Sequence, residues 1–417
     1  MHRAILSLGF VQALGYVFPF VTLWIVSRAL DNPTLSAFLY AQALGALLAI
    51  PVEYGFHLSA VRMATIALQQ GRMREVASEI HFTRLFLFLI ASVAAFPIIW
   101  SNGVLPMSFA NVTGVLLAIA TYGFRPLWYF QATDRYGRLV RTEFVANIGS
   151  FSAVGAIAFL PGGGEWVVLA WALPRALGIW WLVNNIHTDA GLAFPELRRI
   201  GATLREAFPL FIHKLSAGAV HMATPVLLAY LISASDLAAY QKGERIVTAI
   251  QSLLLVISQV GYAHVMRLWS DAGQARSQAI YVSSLQVGGS VVAALGVYIA
   301  APLLLNIFWG NSDAGSLAVL RTMCLLLPVL GINAALALNY LLPSGRDVAV
   351  VSAAVAGSLV SLTSLFVFAD KYGPLSGVGS VLVGELTMTA VMGIALFGRG
   401  KHSPAPALHG TEEGKHS

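Results

Sequence analysis

Apolar residues run along the chain in stretches of about twenty, separated by short polar intervals. A stretch of that length is what an α-helix needs to cross about 30 Å of hydrocarbon. The pattern predicts about twelve such spans. Six, at 4–27, 34–56, 82–101, 104–124, 140–160 and 166–186, precede the longest polar interval inside the chain. That interval, 187–207 (HTDAGLAFPELRRIGATLREA), reads as a cytoplasmic linker or a surface-lying amphipathic helix. Six more spans follow at 209–232, 245–265, 280–304, 316–342, 348–369 and 375–397, and the polar tail 398–417 reads as disordered. Met1-His2-Arg3 ahead of an apolar run is similar to a signal peptide. The run is longer than a signal core and lacks a small-x-small cleavage site, so it is expected to remain as the first span.

A displacement of 211 positions brings the chain onto itself. Leu127, Tyr129 and Arg135 fall on Leu338, Tyr340 and Arg346, and Thr133 falls on Ser344. The same shift carries the second, fourth, fifth and sixth spans onto the eighth, tenth, eleventh and twelfth, while the first and third land several residues off. Six spans being an even number, the two copies would share one orientation, a parallel repeat about an axis along the membrane normal. The expected fold is an all-α polytopic membrane protein built as two six-helix bundles, residues 1–186 and 208–397.

Composition supports the bilayer as solvent. The chain is 57% apolar and only 11% charged, where soluble domains average roughly 25% charged. The 38 Gly and 17 Pro are scattered through apolar runs, which transmembrane helices tolerate. The single cysteine, Cys324, closes no disulfide within the chain and reads as a small packing residue, with no zinc or iron–sulfur spacing around it. The net charge of +6 does not point to nucleic acid, because the basic residues sit between the apolar segments rather than on one face. They report topology instead. With the N-terminus inside, 18 Lys and Arg fall on the cytoplasmic side and five on the other, so both termini are predicted cytoplasmic. No loop is long enough for a soluble catalytic domain. Gly162-Gly163-Gly164 lacks the Gly-Lys-Ser/Thr that a phosphate loop needs, and no catalytic triad is legible. A transporter is expected rather than an enzyme.

Candidate chemistry lies in polar groups the membrane should have excluded, since a charge at mid-bilayer costs on the order of 2.5–3.5 kcal/mol. Arg175 follows Pro174 near the middle of the sixth span, and Glu385 sits near the middle of the twelfth. Lys214 lies about two turns into the seventh span beside His213, with His221 seven residues on and on the same face. Glu53 lies near the inner end of the second span, and Lys242, Glu244 and Arg245 precede or open the eighth. Plainer readings stand beside these. Arg175 and Glu385 occupy near-equivalent places in the two halves and could form a structural ion pair, Lys214 could snorkel to the headgroups, and the histidines could be packing residues.

Several stretches resemble one family. Val52-Glu53-Tyr54-Gly55-Phe56-His57-Leu58-Ser59-Ala60-Val61-Arg62, preceded by Ala41-Gln42-Ala43, is similar to the pattern of Wzx-type polysaccharide flippases. So are Pro126-Leu127-Trp128-Tyr129-Phe130-Gln131, Tyr240-Gln241-Lys242-Gly243-Glu244-Arg245-Ile246, and Asn339-Tyr340-Leu341-Leu342-Pro343-Ser344-Gly345-Arg346. His57 departs from the commoner Asn, and no Pro follows Gly261 and Tyr262.

The resemblance implies a bacterial inner-membrane protein of the multidrug/oligosaccharidyl-lipid/polysaccharide superfamily, with two lobes around a central cavity. It would move undecaprenyl-pyrophosphate-linked oligosaccharide units from the cytoplasmic to the outer leaflet, with a polysaccharide polymerase and a chain-length regulator as candidate partners. On that reading Arg175 and Lys214, with Arg62, Lys242 and Arg245, would hold the pyrophosphate. Tyr16, Gln12, Asn333 and Trp128 would meet the sugars. No resident cofactor is expected. Glu385, Glu53, His213 and His221 are the candidate proton or sodium sites. A cation-coupled multidrug exporter is the alternative, expected to favour acidic and aromatic groups in its cavity. A membrane-embedded glycan polymerase or ligase is a further one.

Overall fold

The computed structural model describes residues 21–133, 135–191, 193–194, 197–267, 272–310 and 312–397, without the side chains of 212–221 and of several residues near 62, 134, 198, 209 and 262. Helices account for nearly all of it. Helix α1 (21–29) is the described end of the first predicted span. Then come α2 (Asn32–Glu53), α3 (Phe56–Gln69), α4 (Met73–Asn102), α5 (Phe109–Gly123), α6 (Leu127–Ala132), α7 (Tyr136–Ala158) and α8 (Val167–Ala190). The second half holds α9 (Leu197–Leu231), α10 (Ala234–Arg267), α11 (Ala272–Trp309), α12 (Ala314–Met323), α13 (Leu326–Ala335), α14 (Asp347–Tyr372) and α15 (Pro374–Phe397). Among the described residues, seven segments are helical, long and apolar enough to cross a membrane.

The start and stop of α2 follow from local chemistry. Asp31 caps it by accepting from the Thr34 N–H at 3.2 Å, with proline in the first turn. It ends where Tyr54 (φ 49°) and Gly55 (φ 77°) turn left-handed. The chain then re-enters a helix, α3, in a region where hydropathy alone shows only loop. Its apolar residues are spaced on one face, with Phe56, Ala60, Ala64 and Ala67 buried, so burial rather than run length makes this helix. For the same reason α4 begins at Met73, nine residues before its apolar run. In the polar interval 187–207, α8 continues to Ala190 and α9 opens at Leu197.

The tenth predicted span is interrupted. Pro328 has no N–H for the Cys324 carbonyl, which accepts instead from Leu327 N at 3.2 Å, and the helix breaks between α12 and α13. A π-helical stretch, Leu336–Leu341, follows α13.

The 211-residue displacement is written into the backbone here. Thr133 N bonds Tyr129 O, Arg135 N bonds Phe130 O, and Arg138 N bonds Arg135 O. In the second half Ser344 N bonds Tyr340 O, Arg346 N bonds Leu341 O, and Ala349 N bonds Arg346 O, each at the shift of 211. Arg135 (φ −108°, ψ 39°) and Arg346 (φ −96°, ψ 45°) then open α7 and α14 in one conformation.

Glycines set how closely these helices approach. A Cβ at Gly178 would lie 2.9 Å from that of Ala146, and one at Gly149 would lie 3.2 Å from that of Pro174, so α7 and α8 touch nearly backbone to backbone. Gly357 and Gly384 do the same for α14 and α15, where an added Cβ at Gly357 would meet the Gly384 carbonyl oxygen at 2.6 Å. Small residues permit such approach in helices that share no water-driven attraction.

Candidate functional site

The α7–α8 contact positions the first cation. Asn147 lies between the close approaches at Ala146 and Gly149, and its Oδ1 accepts from Arg175 Nε at 3.1 Å. The guanidinium also lies over the Trp171 ring, 4.6 Å from its centroid, a contact worth on the order of 1 kcal/mol. Tyr122 stands beside Trp171, with ring centroids 6.3 Å apart. The Ser150 hydroxyl donates to Trp171 O at 2.7 Å, a second tie between α7 and α8 close to Arg175.

Two further cations sit on α10. The Arg245 guanidinium donates to Gln42 Oε1 of α2 at 2.7 Å and lies within electrostatic reach of Arg175. Lys242, one turn earlier and 3% exposed, directs its ammonium at Asn32 Oδ1 (3.4 Å) and at the Asp313 carboxylate (3.7 Å). Asp313 itself caps α12, accepting from the backbone N–H and the hydroxyl of Ser316. Arg175, Arg245 and Lys242 thus each meet a side-chain amide, from Asn147, Gln42 and Asn32. Among the described residues Arg175 and Arg245 are not paired with a carboxylate. An amide oxygen orients a cation without cancelling its charge.

Glu385 follows Gly384 on α15 and faces α13. Asn333 Nδ2 donates to its carboxylate at 2.7 Å and to its backbone carbonyl at 3.1 Å, and the Thr389 hydroxyl donates to Asn333 Oδ1 at 2.6 Å. The structural Arg175–Glu385 ion pair that symmetry allowed does not form. Arg175 is held by Asn147 and Trp171, and Glu385 by Asn333, because each faces a neighbouring helix of its own half of the chain.

The remaining expected site residues are spread more widely. Glu53 is 8% exposed; its Oε2 accepts from Gly55 N at 3.2 Å, and the carboxylate lies within electrostatic reach of Arg84 on α4. Trp128, 3% exposed, lies on α6 among core aromatics. Tyr16 and Gln12 lie outside the described residues, and so do the side chains of Arg62, His213, Lys214 and His221, whose backbones belong to α3 and α9.

The partners Asn147, Gln42, Asp313, Thr389 and Arg84 escaped the reading of the sequence. Gln42 stands in a motif of the family resemblance, and Asn147 is an amide inside an apolar run, so both carried a signal. Asp313 looked like an ordinary residue flanking a span, and Arg84 like one at the inner edge of the third span.

At the end of the helices that bears Asp313, the two halves of the chain are closed upon each other. The Ser27 hydroxyl donates to Phe308 O at 2.8 Å, and Arg28 donates to Ile307 O at 3.2 Å. Tyr230 donates to Ile98 O at 2.9 Å. At the opposite end Tyr54 and Phe211 stack, with centroids 4.4 Å apart.

A model of the family described as polysaccharide biosynthesis protein matches residues 1–262. Two curated relatives bear the name "Putative O-antigen transporter". The one from Shigella dysenteriae is 23% identical over 94% of this chain and 99% of its own length. The one from Escherichia coli is 19% identical over 94% and 95%. Among solved structures, lipid II flippase MurJ in an inward closed conformation superposes with a TM-score of 0.74 at 12% identity, covering 93% of this chain and 87% of that one. The eukaryotic MATE transporter AtDTX14 gives 0.62 at 14% identity, over 94% and 93%. These solved structures share the fold.

Proposed function

The chain belongs to the polysaccharide biosynthesis protein family, a family of membrane proteins whose curated relatives here are named as transporters, and from that premise we propose that it is a flippase for lipid-linked oligosaccharide. The substrate is an undecaprenyl-pyrophosphate-linked repeat unit, carried from the cytoplasmic to the outer leaflet of a bacterial inner membrane. Twelve spans in two lobes alternate in access around a central path, with both termini in the cytoplasm. The observation that carries this reading is the pair Arg175 and Arg245. They lie within electrostatic reach of each other, each tied to an amide rather than a carboxylate, and so keep the charge that an anionic pyrophosphate needs.

Arg175 and Arg245 take the phosphate oxygens, and the exposed ring of Tyr122, beside Trp171, offers a face to the sugar. Lys214 and Arg62 extend the cationic path, and Lys242 belongs to its far-end closure. The polyprenyl tail stays in lipid. With the inside negative, moving about two negative charges outward gains roughly 4–5 kcal/mol per 100 mV if they cross the whole field, so direction needs no counter-ion. Glu385, which accepts from Asn333, is the candidate for coupling a proton or sodium ion where one is used.

The test is leaflet-resolved accumulation of lipid-linked units in a deletion strain. Units should build up on the inner leaflet, be relieved by the wild-type gene, and remain trapped with an expressed Arg175→Ala protein. Units that reach the outer leaflet without the protein and fail only to polymerise would point to a polymerase or ligase instead.

A further inference from the structure

Helices α7 and α8 hold arginines in two different ways. At their polar end the partners are carboxylates. Glu143 of α7 accepts from Arg125 Nη2 at 2.9 Å, and Asp189 of α8 meets Arg138 at 3.0 Å and Arg135 at 3.3 Å. One turn along α7 from Glu143 stands Asn147, and there the partner of Arg175 is an amide oxygen. Asn and Asp have nearly the same shape, so a carboxylate could accept the same hydrogen bond, and a charge-assisted bond is the stronger of the two. Holding the arginine in place would therefore be served at least as well by Asp. What only the amide does is leave the cation its charge.

The amide also sets the direction of the guanidinium. Asn147 takes the Nε proton at 3.1 Å, and the Trp171 ring covers one face at 4.6 Å. Ser150, on the same side of α7 as Asn147, ties the Trp171 carbonyl at 2.7 Å, so the ring beneath the cation is itself held. The N–H groups of Nη1 and Nη2 have no hydrogen-bond partner among the described residues, and the side chain is only half-buried. They form the planar fork that matches two oxygens of a phosphate. Gln42 repeats the device from the other half of the chain. It is 7% exposed, and its Oε1 accepts from Arg245 Nη2 at 2.7 Å.

We propose that Asn147 and Gln42 are positioning residues for the anionic group of the substrate. Each aims an arginine and, being an amide, leaves its charge whole. This rests on the reading that Arg175 and Arg245 meet a pyrophosphate.

The test is equilibrium binding of farnesyl diphosphate to the purified full chain, with farnesol as the uncharged control. In Asn147→Asp the affinity should fall about tenfold or more, and further than in Asn147→Leu, although the thermal unfolding midpoint is no lower than that of the wild type. Gln42→Glu and Gln42→Leu should rank in the same way. A role confined to joining helices reverses the order, leaving Asn147→Asp like the wild type and Asn147→Leu impaired. That reversed order, or wild-type affinity in both, would overturn the proposal and leave the flippase reading standing. Wild-type protein that binds farnesyl diphosphate no better than farnesol would overturn the pyrophosphate reading, and the proposal with it. If one carboxylate variant fails to fold, the other pair decides.

Discussion

At the residue scale the informative positions are charges with unusual company. Arg175 and Glu385 are legible in the sequence because each interrupts an apolar run that the membrane should have purified. Their pairing is not, because an amide inside an apolar run, such as Asn147 or Asn333, marks a polar position but which helix it faces depends on packing. Asp313 shows how local chemistry outweighs burial. Burial raises its carboxyl pKa, but the Ser316 backbone N–H and hydroxyl, aided by the Lys242 ammonium, hold it below the usual carboxylate range. A lowered folded-state value contributes stability that is fully present above the unfolded pKa of about 3.9 and is lost only as pH falls through the folded one. Asp313→Asn should therefore lower the thermal unfolding midpoint by the same amount at pH 6 and at pH 8. A deficit seen at only one of those values would contradict this account of the Lys242–Asp313 contact.

At the element scale the apolar runs located the long helices, and amphipathic helices were hidden from them. Helix α3 and the first turns of α4 bury one face only, so a run of polar residues masks them, whereas α5 and α14 are apolar nearly throughout. The repeat was readable from Leu, Tyr and Arg at a fixed displacement. What those residues encode is a turn, and the three matching backbone hydrogen bonds around Tyr129 and Tyr340 give the displacement its physical content.

Packing between elements was less legible, since a glycine in an apolar run does not announce which helix it meets. Gly357→Val should be destabilising by about 1–3 kcal/mol, because its Cβ would press on the Gly384 carbonyl. Gly379→Ala on α15, where a Cβ meets nothing within 4 Å, should be near neutral. Thermal unfolding of the purified proteins separates the two. Equal effects would mean that the α14–α15 contact does not depend on this approach.

At the scale of the whole molecule, contacts between sequence-distant segments gather at the Asp313 end. Ser27 meets Phe308, Arg28 meets Ile307, and Lys242 bridges Asn32 and Asp313. Opening of that end requires these contacts to separate together. Cysteines at Ser27 and Phe308, in a protein with Cys324 replaced by Ala, should therefore cross-link under oxidation and stop transport, and a reductant should restore it. Full activity of the cross-linked protein would exclude movement at this end. The matching turns at Arg135 and Arg346 were legible from the repeat. The electrostatic reach between Arg175 and Arg245 was not, because it depends on how α8 and α10 are placed across the two halves.

If unneutralised arginines carry a lipid pyrophosphate across the membrane, the protein alone in a reconstituted bilayer should do so. Purified protein in vesicles loaded with lipid-linked oligosaccharide should expose the sugar on the opposite leaflet. Arg175→Ala, folded and inserted to the same extent, should lose most of that rate. Arg175→Lys, which keeps the charge but not the fork, should fall between them. Equal rates for wild type and Arg175→Ala, or none for wild type above empty vesicles, would contradict it.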